Sequence, residues 1–435
     1  MKKGKKTKDK KETSFLTKTI LFLRLVKERL SSLRPIHRIS ERQKALAHYS
    51  DSEGYEESRI SYIFGISKVI SVFLLVLLLA ITVIFGSGVI SYEKMYYMFK
   101  DVTYIKNYED GEPLQLSYSH PVQNQVFADY KNGLLVAGDS ELKFFTSTGR
   151  VSLTAGSEFT NPRVVCSNSN ALIYDQGRHT FSIYNSFVKL YSEKTEYQIS
   201  SVDMSDNGSY LIVTSSNTYN STVKFYDANY AQTGEYNKNS WVISAKLSSN
   251  GRYAAILSLS AKNGASEVNL DILDCKNTEI ISKNTYQSSM PYMCEFLSDN
   301  TIAIFFTDGF RLVDRKGNLK NEYAYPSSVE NIDVRNDSFA IFFSESEGMQ
   351  QKMLEVFDDN GNKIFARQIS GNVRDVKLGD GCVYLLKANE IIRINTSLGT
   401  ESRIDSRADN LRIVVLSDGR ALVCSQNSAS YISFD

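Results

Sequence analysis

The sequence predicts an all-β fold: a β-propeller of eight blades, with seven as the alternative, preceded by one transmembrane helix and a basic cytoplasmic tail. Three observations predict it. A strand-turn-strand unit recurs eight times at a mean spacing of about 41 residues, which fits one four-stranded blade. The last unit stops one strand short, and a segment ahead of the first unit is able to supply that strand. A 24-residue run without one ionisable acid or base divides the chain into a basic and an acidic part. With 42% hydrophobic and 23% charged residues and only 6 Pro in 435, the composition excludes a disordered or collagen-like chain.

Residues 1–68 carry 17 Lys+Arg against 8 Asp+Glu, a net charge of +9, while the rest of the chain carries −8. Lys2, Lys3, Lys5, Lys6, Lys8, Lys10 and Lys11 form a cationic run. Behind it Phe15, Leu16, Ile20, Leu23, Val26, Leu30 and Leu33 recur near helical spacing, which predicts an amphipathic helix near 14–34. Anionic lipid attracts such a cluster by about 1 kcal/mol per charge, and the apolar stripe suits the membrane interface. The alternative is a solvated tail with a short helix. Nucleic acid is not expected as a partner, because no aromatic stacking pattern accompanies the charge.

The apolar run 69–92 would be roughly 36 Å long as a helix, against a hydrocarbon core of about 30 Å. A cleavable signal peptide has a shorter apolar region nearer the N-terminus and a small-residue cleavage site, so a retained anchor is the expectation. Lys68, Arg59, Lys44, Arg42 and Arg38 outweigh the single Lys94 beyond the run, which keeps the N-terminus in the cytoplasm. Tyr92, Tyr96, Tyr97 and Phe99 then mark the outer interface. Residues 93–111 read as a juxtamembrane linker and 112–435 as the extracytoplasmic propeller of a single-pass cell-membrane protein.

The repeat is clearest as VDMSDNGSYLIVTS at 202–215, AKLSSNGRYAAILS at 245–258 and VVLSDGRALVCS at 414–425. Weaker copies begin at residues 127, 164, 295, 333 and 376. A third strand follows each pair, as in VKFYDAN at 223–229 and LEVFDDNGN at 354–362, and then a fourth, as in NKIFARQI at 362–369. The last repeat ends in its third strand, 429–435, and EPLQLSYS at 112–119 fills the missing slot and closes the ring. Closure removes the sheet edges that an open β-solenoid would expose.

These repeats resemble WD-repeat-like and quinoprotein-like propellers, without the Trp-Asp dipeptide of the one or the per-blade tryptophan of the other, since Trp241 stands alone. The basic tail, the single anchor and the S-D/S-N-G turns together are similar to an uncharacterised family of bacterial single-pass membrane proteins known mainly from Gram-positive anaerobes. The similarity spans about residues 60–435 and implies an anchor and a propeller ectodomain; it implies no activity.

Little in the acidic part points to catalysis. It holds only His120 and His179, too few for a multi-histidine metal site. The common hydrolase, zincin and nucleotide-binding motifs do not occur. Asp358, Asp359, Asn360 and Gly361 lack the ligand spacing of a calcium loop and read as a type I′ hairpin turn. Of the five cysteines, Cys166, Cys294, Cys382 and Cys424 fall within predicted strands and Cys275 at a strand end, which argues against a disulfide framework. Asp203, Asp206, Asp299, Asp333, Asp380 and Asp418 recur near the turns, either as acceptors for turn amides or as an acidic rim for cationic or polyhydroxyl partners. Tyr219 and Tyr286 are candidates for stacking on sugars or peptides from the top loops.

No catalytic, cofactor or metal residue is therefore assigned. The expectation is a binding or scaffold module for an envelope protein or glycan, with membrane lipid contacted through anchor and tail. A carboxylate-based glycan hydrolase or lyase using the channel, or a transmembrane sensor, is the alternative. Protease added to intact cells is expected to degrade residues 111–435 and to spare the lysine-rich tail; a protected C-terminal domain overturns this orientation.

Overall fold

The computed structural model describes residues 66–76, 116–262, 264–287, 289–345 and 351–434. The chain divides into two units, Met1–Ser91 and Tyr92–Asp435. In the first, residues 66–76 form a helix in which every large apolar side chain is exposed, from Val69 and Ile70 to Phe73 and Leu75. Among the described residues no helix is long and apolar enough to cross a membrane. The tail with its amphipathic stretch, residues 77–92 of the expected span, the linker 93–111 and residues 112–115 lie outside the described residues.

The second unit is eight four-stranded antiparallel sheets, which decides between eight blades and seven. Strands A to D of a blade follow one another in sequence, and burial peaks in the middle strands: the inner A strand Gln125–Tyr130 is mostly half-buried, whereas strand B, Gly133–Gly138, is buried throughout. In blade 3 strand B (Tyr210–Thr214) is buried throughout, whereas strand D (Gln232–Lys238) alternates between exposed and half-buried. The inner A strands are Gln125–Tyr130, Pro162–Cys166, Ile199–Met204, Trp241–Leu247, Pro291–Ser298, Val329–Arg335, Val373–Gly379 and Arg412–Val415. The unequal repeat spacing is absorbed in B–C hairpins. Blade 4 uses two ten-residue strands, Tyr253–Lys262 and Ala265–Asp274, around the longest step.

The core is distributed over the blade interfaces rather than gathered at the centre. Each cluster draws on two neighbouring blades: Leu211, Val213 and Phe225 of blade 3 pack on Ala245, Ala254 and Ile256 of blade 4. Phe305 and Phe310 of blade 5 pack on Phe339, Phe343 and Phe357 of blade 6. Phe339 and Phe357 are stacked, with centroids 5.2 Å apart.

Blade 8 takes its fourth strand from the N-terminal side, as the sequence predicts. Leu116–Ser117 pairs with Ser428–Ile432, Leu116 opposite Ala429 and Ser117 opposite Ser428. Tyr118 continues the seal, its hydroxyl 2.6 and 2.8 Å from the carbonyls of Ser428 and Ser425. Its ring lies 5.8 Å from Phe127 of blade 1. Leu116 and Tyr118 thus belong to the core cluster that joins blade 8 to Leu134, Val136 and Phe145 of blade 1.

One turn corrects its sequence reading. At 358–361 only Gly361 has positive φ, +78°, and its amide donates to Asp358 O at 3.0 Å. The register slips by one residue at Phe357. This is a type I turn closed by a left-handed glycine in a bulge, not type I′. Asp358 Oδ1 accepts the amides of Asn360 and Asn362 at 3.0 and 2.8 Å. Burial opposes but does not cancel these donors, which hold the carboxyl below its ordinary value. The type I′ turn of the propeller is at Lys131 and Asn132, with φ of 53° and 59°.

Deletion of Pro113–Ser119 is expected to abolish cooperative unfolding or to cause aggregation, because blade 8 is left with an open edge. Tyr118→Phe keeps the strand and should cost about 1–2 kcal/mol in denaturant unfolding, the worth of its buried hydroxyl bonds. An unchanged midpoint in both variants overturns the closure.

Candidate functional site

The A strands of blades 3 to 7 share a device that the sequence does not announce. Each has a register shift near its start that leaves one residue unpaired: Ser200, Ile243, Tyr292, Glu330 and Arg374. All five are exposed. A bulge turns a side chain that strand alternation would otherwise bury or pair toward the open end of the strand; there Glu330 pairs with Lys352 and Arg374 donates to Ala408 O, both at 2.7 Å, and Ser200 Oγ donates to Val213 O at 3.1 Å. Three residues further on, each of these strands carries a charge: Asp203, Lys246, Glu295, Asp333 and Lys377.

The bulges lie at the end of the channel formed by the D–A and B–C connections. There Trp241, 59% exposed, joins Ile243, Met290 and Tyr292, all exposed, across blades 4 and 5. The B–C loop of blade 3 is tied to this mouth. Asn220 Nδ2 donates to Asn239 O at 2.7 Å, and Val242 N donates to Ser221 Oγ at 3.0 Å. That sets the exposed Tyr219 beside the same patch. Since the strand at Leu116 runs toward the B–C loop of blade 8, the chain enters the propeller from the opposite, A–B face.

Deeper in, the charged residues bridge the blades. Lys246 Nζ is 3.4 Å from Asp203 Oδ1 and 2.9 Å from Glu295 Oε2. Lys377 Nζ is 2.6 Å from Asp333 Oδ1. Asp203 and Asp333 each give their second oxygen to a backbone N–H of the next blade, Leu247 N and Leu378 N, both at 2.8 Å. Burial works against the charge on Lys246, but the two carboxylates outweigh it and hold the ammonium up. Burial likewise pushes Glu295 above the ordinary carboxylate range, with Lys246 pulling against it. Among the described residues no group of His, Cys, Asp and Glu is placed to hold a metal ion.

A family model, described as a family of unknown function, DUF5711, matches residues 101–434. The chain belongs to the DUF5711 family. No curated protein matches this DUF5711 chain. Among solved structures it is similar to BamB from Moraxella catarrhalis, at 13% identity and a TM-score of 0.51, over 74% of this chain and 98% of that one. It is also similar to Hsv2 from Kluyvelomyces marxianus, at 13% identity and a TM-score of 0.44, over 63% and 92%. At these identities the likeness to BamB concerns the fold.

Of the residues singled out by sequence, the six acids of this DUF5711 propeller are engaged rather than displayed as a free rim. Besides Asp203 and Asp333, Asp206 accepts from Ser249 Oγ, Asp299 from Asn250 Nδ2 at 2.6 Å and Asp380 from Arg335 Nε at 3.2 Å. Asp418 pairs with Arg420 in its own turn at 2.7 Å. Tyr219 is an exposed loop residue as expected. Tyr286 is not: it lies in the D strand Glu279–Gln287, its ring 5.6 Å from Phe306. All five cysteines are free, and burial pushes the Cys275 and Cys294 thiols up to about 12. His120 contacts Gln426 in the closing loop and His179 contacts Thr195 O in blade 2.

Lys246→Ala leaves Asp203 and Glu295 without their shared ammonium. The variant is expected to lose about 1–3 kcal/mol at neutral pH, because the three side chains are only partly buried and solvent screens part of the stranded charge. The loss should shrink as pH falls, because protonation then relieves the stranded carboxylates. A loss that is constant between neutral and acidic pH overturns the bridging role.

Proposed function

We propose that the chain is a membrane-anchored, extracytoplasmic binding module whose propeller holds an envelope protein or glycan at the D–A mouth of the channel. The observation that carries this reading is the set of five exposed bulge residues on consecutive blades, with Trp241 beside them. Rigid aromatic side chains on a fixed scaffold offer contact area at low entropic cost, and Trp and Tyr dominate such hot spots. The mouth lies opposite the point where the chain enters the propeller, which leaves it open to a partner. The wholly exposed apolar helix at residues 66–76 supports the anchor, since such a surface is stable in lipid and costly in water. The basic tail then lies in the cytoplasm against anionic lipid.

The channel chemistry favours recognition over hydrolysis. A glycosidase needs one carboxyl kept as an acid and another as a base or nucleophile. Here Asp203 and Glu295 share one lysine, an arrangement that holds charge in place rather than passing a proton.

Cross-linking of the full-length chain in membranes is expected to capture one major envelope partner. Trp241→Ala and Tyr292→Ala should each weaken capture by about 2 kcal/mol, roughly thirtyfold in affinity. Glu279→Gln, on the outer strand of blade 4, should leave capture unchanged. Equal capture by all three variants overturns this site.

A further inference from the structure

One sector of the D–A face is built without charge. Residues 207–223, 239–245 and 284–294 contain neither an acid nor a base. They supply the B–C loop of blade 3 and the D–A connections from blade 3 to 4 and from blade 4 to 5, which meet on this face. In blades 2, 6, 7 and 8 the A strand instead carries a charge in its first two residues, at Arg163, Glu330, Arg374 and Arg412. The exposed apolar side chains of the mouth, Tyr219, Trp241, Ile243, Met290 and Tyr292, all belong to the uncharged sector.

The sector is held in place by its own backbone and hydroxyls. Ser216 Oγ accepts the amides of Thr218 and Tyr219 at 3.3 and 3.4 Å, which fixes the loop that carries Tyr219. Ser244 Oγ donates to Cys294 O at 3.4 Å and ties the A strands of blades 4 and 5 together beside Ile243 and Tyr292. Polar side chains are left over around the rings. Asn217 and Thr218 are exposed, and among the described residues their side chains make no hydrogen bond. The carboxylates at the border are engaged: Asp308 accepts from Ser289 Oγ at 2.6 Å and Glu267 from Asn269 Nδ2 at 3.3 Å.

This combination matches one ligand chemistry. A pyranose ring has an apolar face of C–H bonds, which the negative face of an indole or phenol attracts, and a rim of hydroxyls that both donate and accept. Amide and hydroxyl side chains do the same, whereas a charged group facing a neutral ligand would be desolvated without an ionic partner. A protein partner would favour arginine among the aromatic anchors, and this sector has none.

We propose that the uncharged sector of the D–A mouth binds a neutral oligosaccharide, with sugar rings on Trp241 and Tyr219 and hydroxyls on Asn217 and Thr218. Ile243 and Met290 offer an apolar floor to the methyl of an acetamido group. The inference rests on the reading of this mouth as the binding face and names its ligand.

The test uses the full-length chain in a sugar-free detergent and reads Trp241, the only tryptophan of the sequence, whose emission shifts to the blue when a ligand covers it. Chitotetraose and cellotetraose are titrated in separate arms, with polygalacturonate and the tripeptide Leu-Phe-Met as comparators. A saturable shift is expected with a neutral saccharide, at the same affinity in low and high salt. A response to chitotetraose alone identifies an acetamido sugar, to cellotetraose alone an unsubstituted one, and to both the shared ring. Tyr219→Ala should weaken binding about tenfold, as expected for one stacking ring, and Asn217→Ala severalfold. Both are exposed loop positions, so the fold survives their loss. No response to either tetrasaccharide, a stronger response to polygalacturonate or to the tripeptide, or binding unchanged in both variants overturns the proposal. Capture by the Trp241 and Tyr292 variants decides the mouth separately, so a mouth that captures its partner and ignores saccharides refutes this inference alone.

Discussion

A ring of wedges is stable only if its last member grips its first, and here that grip is a two-residue strand and one tyrosine. Every interface between blades is built alike, from apolar residues of the middle strands of two neighbours. None is large enough to stand alone, because a single four-stranded sheet has two faces to cover. Leu116 supplies the fourth strand of blade 8, and Tyr118 fills the space between that blade and Phe127 of blade 1. The first and last blades are thereby made as good neighbours as any interior pair. The sheet edge that remains belongs to the outer D strands, where exposed charges such as Lys189, Glu193 and Glu401 discourage pairing with other chains.

Closure fixes the inner strands in a circle, so that what one blade presents must be answered by the next. This explains why the acids near the turns are not a free rim. In a closed ring the side chain of one A strand meets the backbone of its neighbour about 44 residues on, and a carboxylate there finds both an unpaired N–H and a lysine. The same device serves between blades 3 and 4 and between blades 6 and 7, which shows a repeat reusing one solution. Where the series lacks a lysine, between blades 5 and 6, the inner seam is held by outer-strand contacts and the packed phenylalanines rather than by charge.

The fold was legible because it rests on local chemistry repeated many times. Serine, asparagine and glycine at a turn, flanked by apolar runs, make a strand pair that reads the same wherever it occurs, and eight occurrences fix the blade count. The missing strand was legible by subtraction. The candidate sites were not, for two physical reasons. A bulge is one extra residue in an otherwise ordinary strand: VENIDVR and WVISAKL carry no composition that marks Glu330 or Ile243 as unpaired, since the partner strand decides it. The bridging of Asp203 to Lys246 depends on two residues 43 positions apart being brought to one level of a channel, which no spacing rule reports. Tyr286 and the turn at Asp358 failed for the same kind of reason. Loop or strand, and type I or type I′, are settled by the neighbouring strand's register.

The two mouths of one channel are therefore chemically unlike, and the difference follows from strand direction. At the D–A end the bulges break the alternation that would bury Ile243 and Tyr292, and they expose them beside Trp241. At the A–B end the turns are polar by necessity, because tight turns need glycine and side chains that cap amides, and the acids they bring must be neutralised or left facing solvent. A propeller built from this repeat consequently acquires an apolar aromatic mouth and an acidic one without further design. Blades 8, 1 and 2 lack the complete device: Val414 and Val165 stand in their inner strands, and Asp129 turns instead to Ser417 at the seam of blades 8 and 1. The chemistry is thus confined to an arc of five blades, on the side of the ring away from the strand that closes it. Arg335 ties the two parts of the ring together, donating to Val415 O and Leu416 O of blade 8 at 3.1 and 2.7 Å.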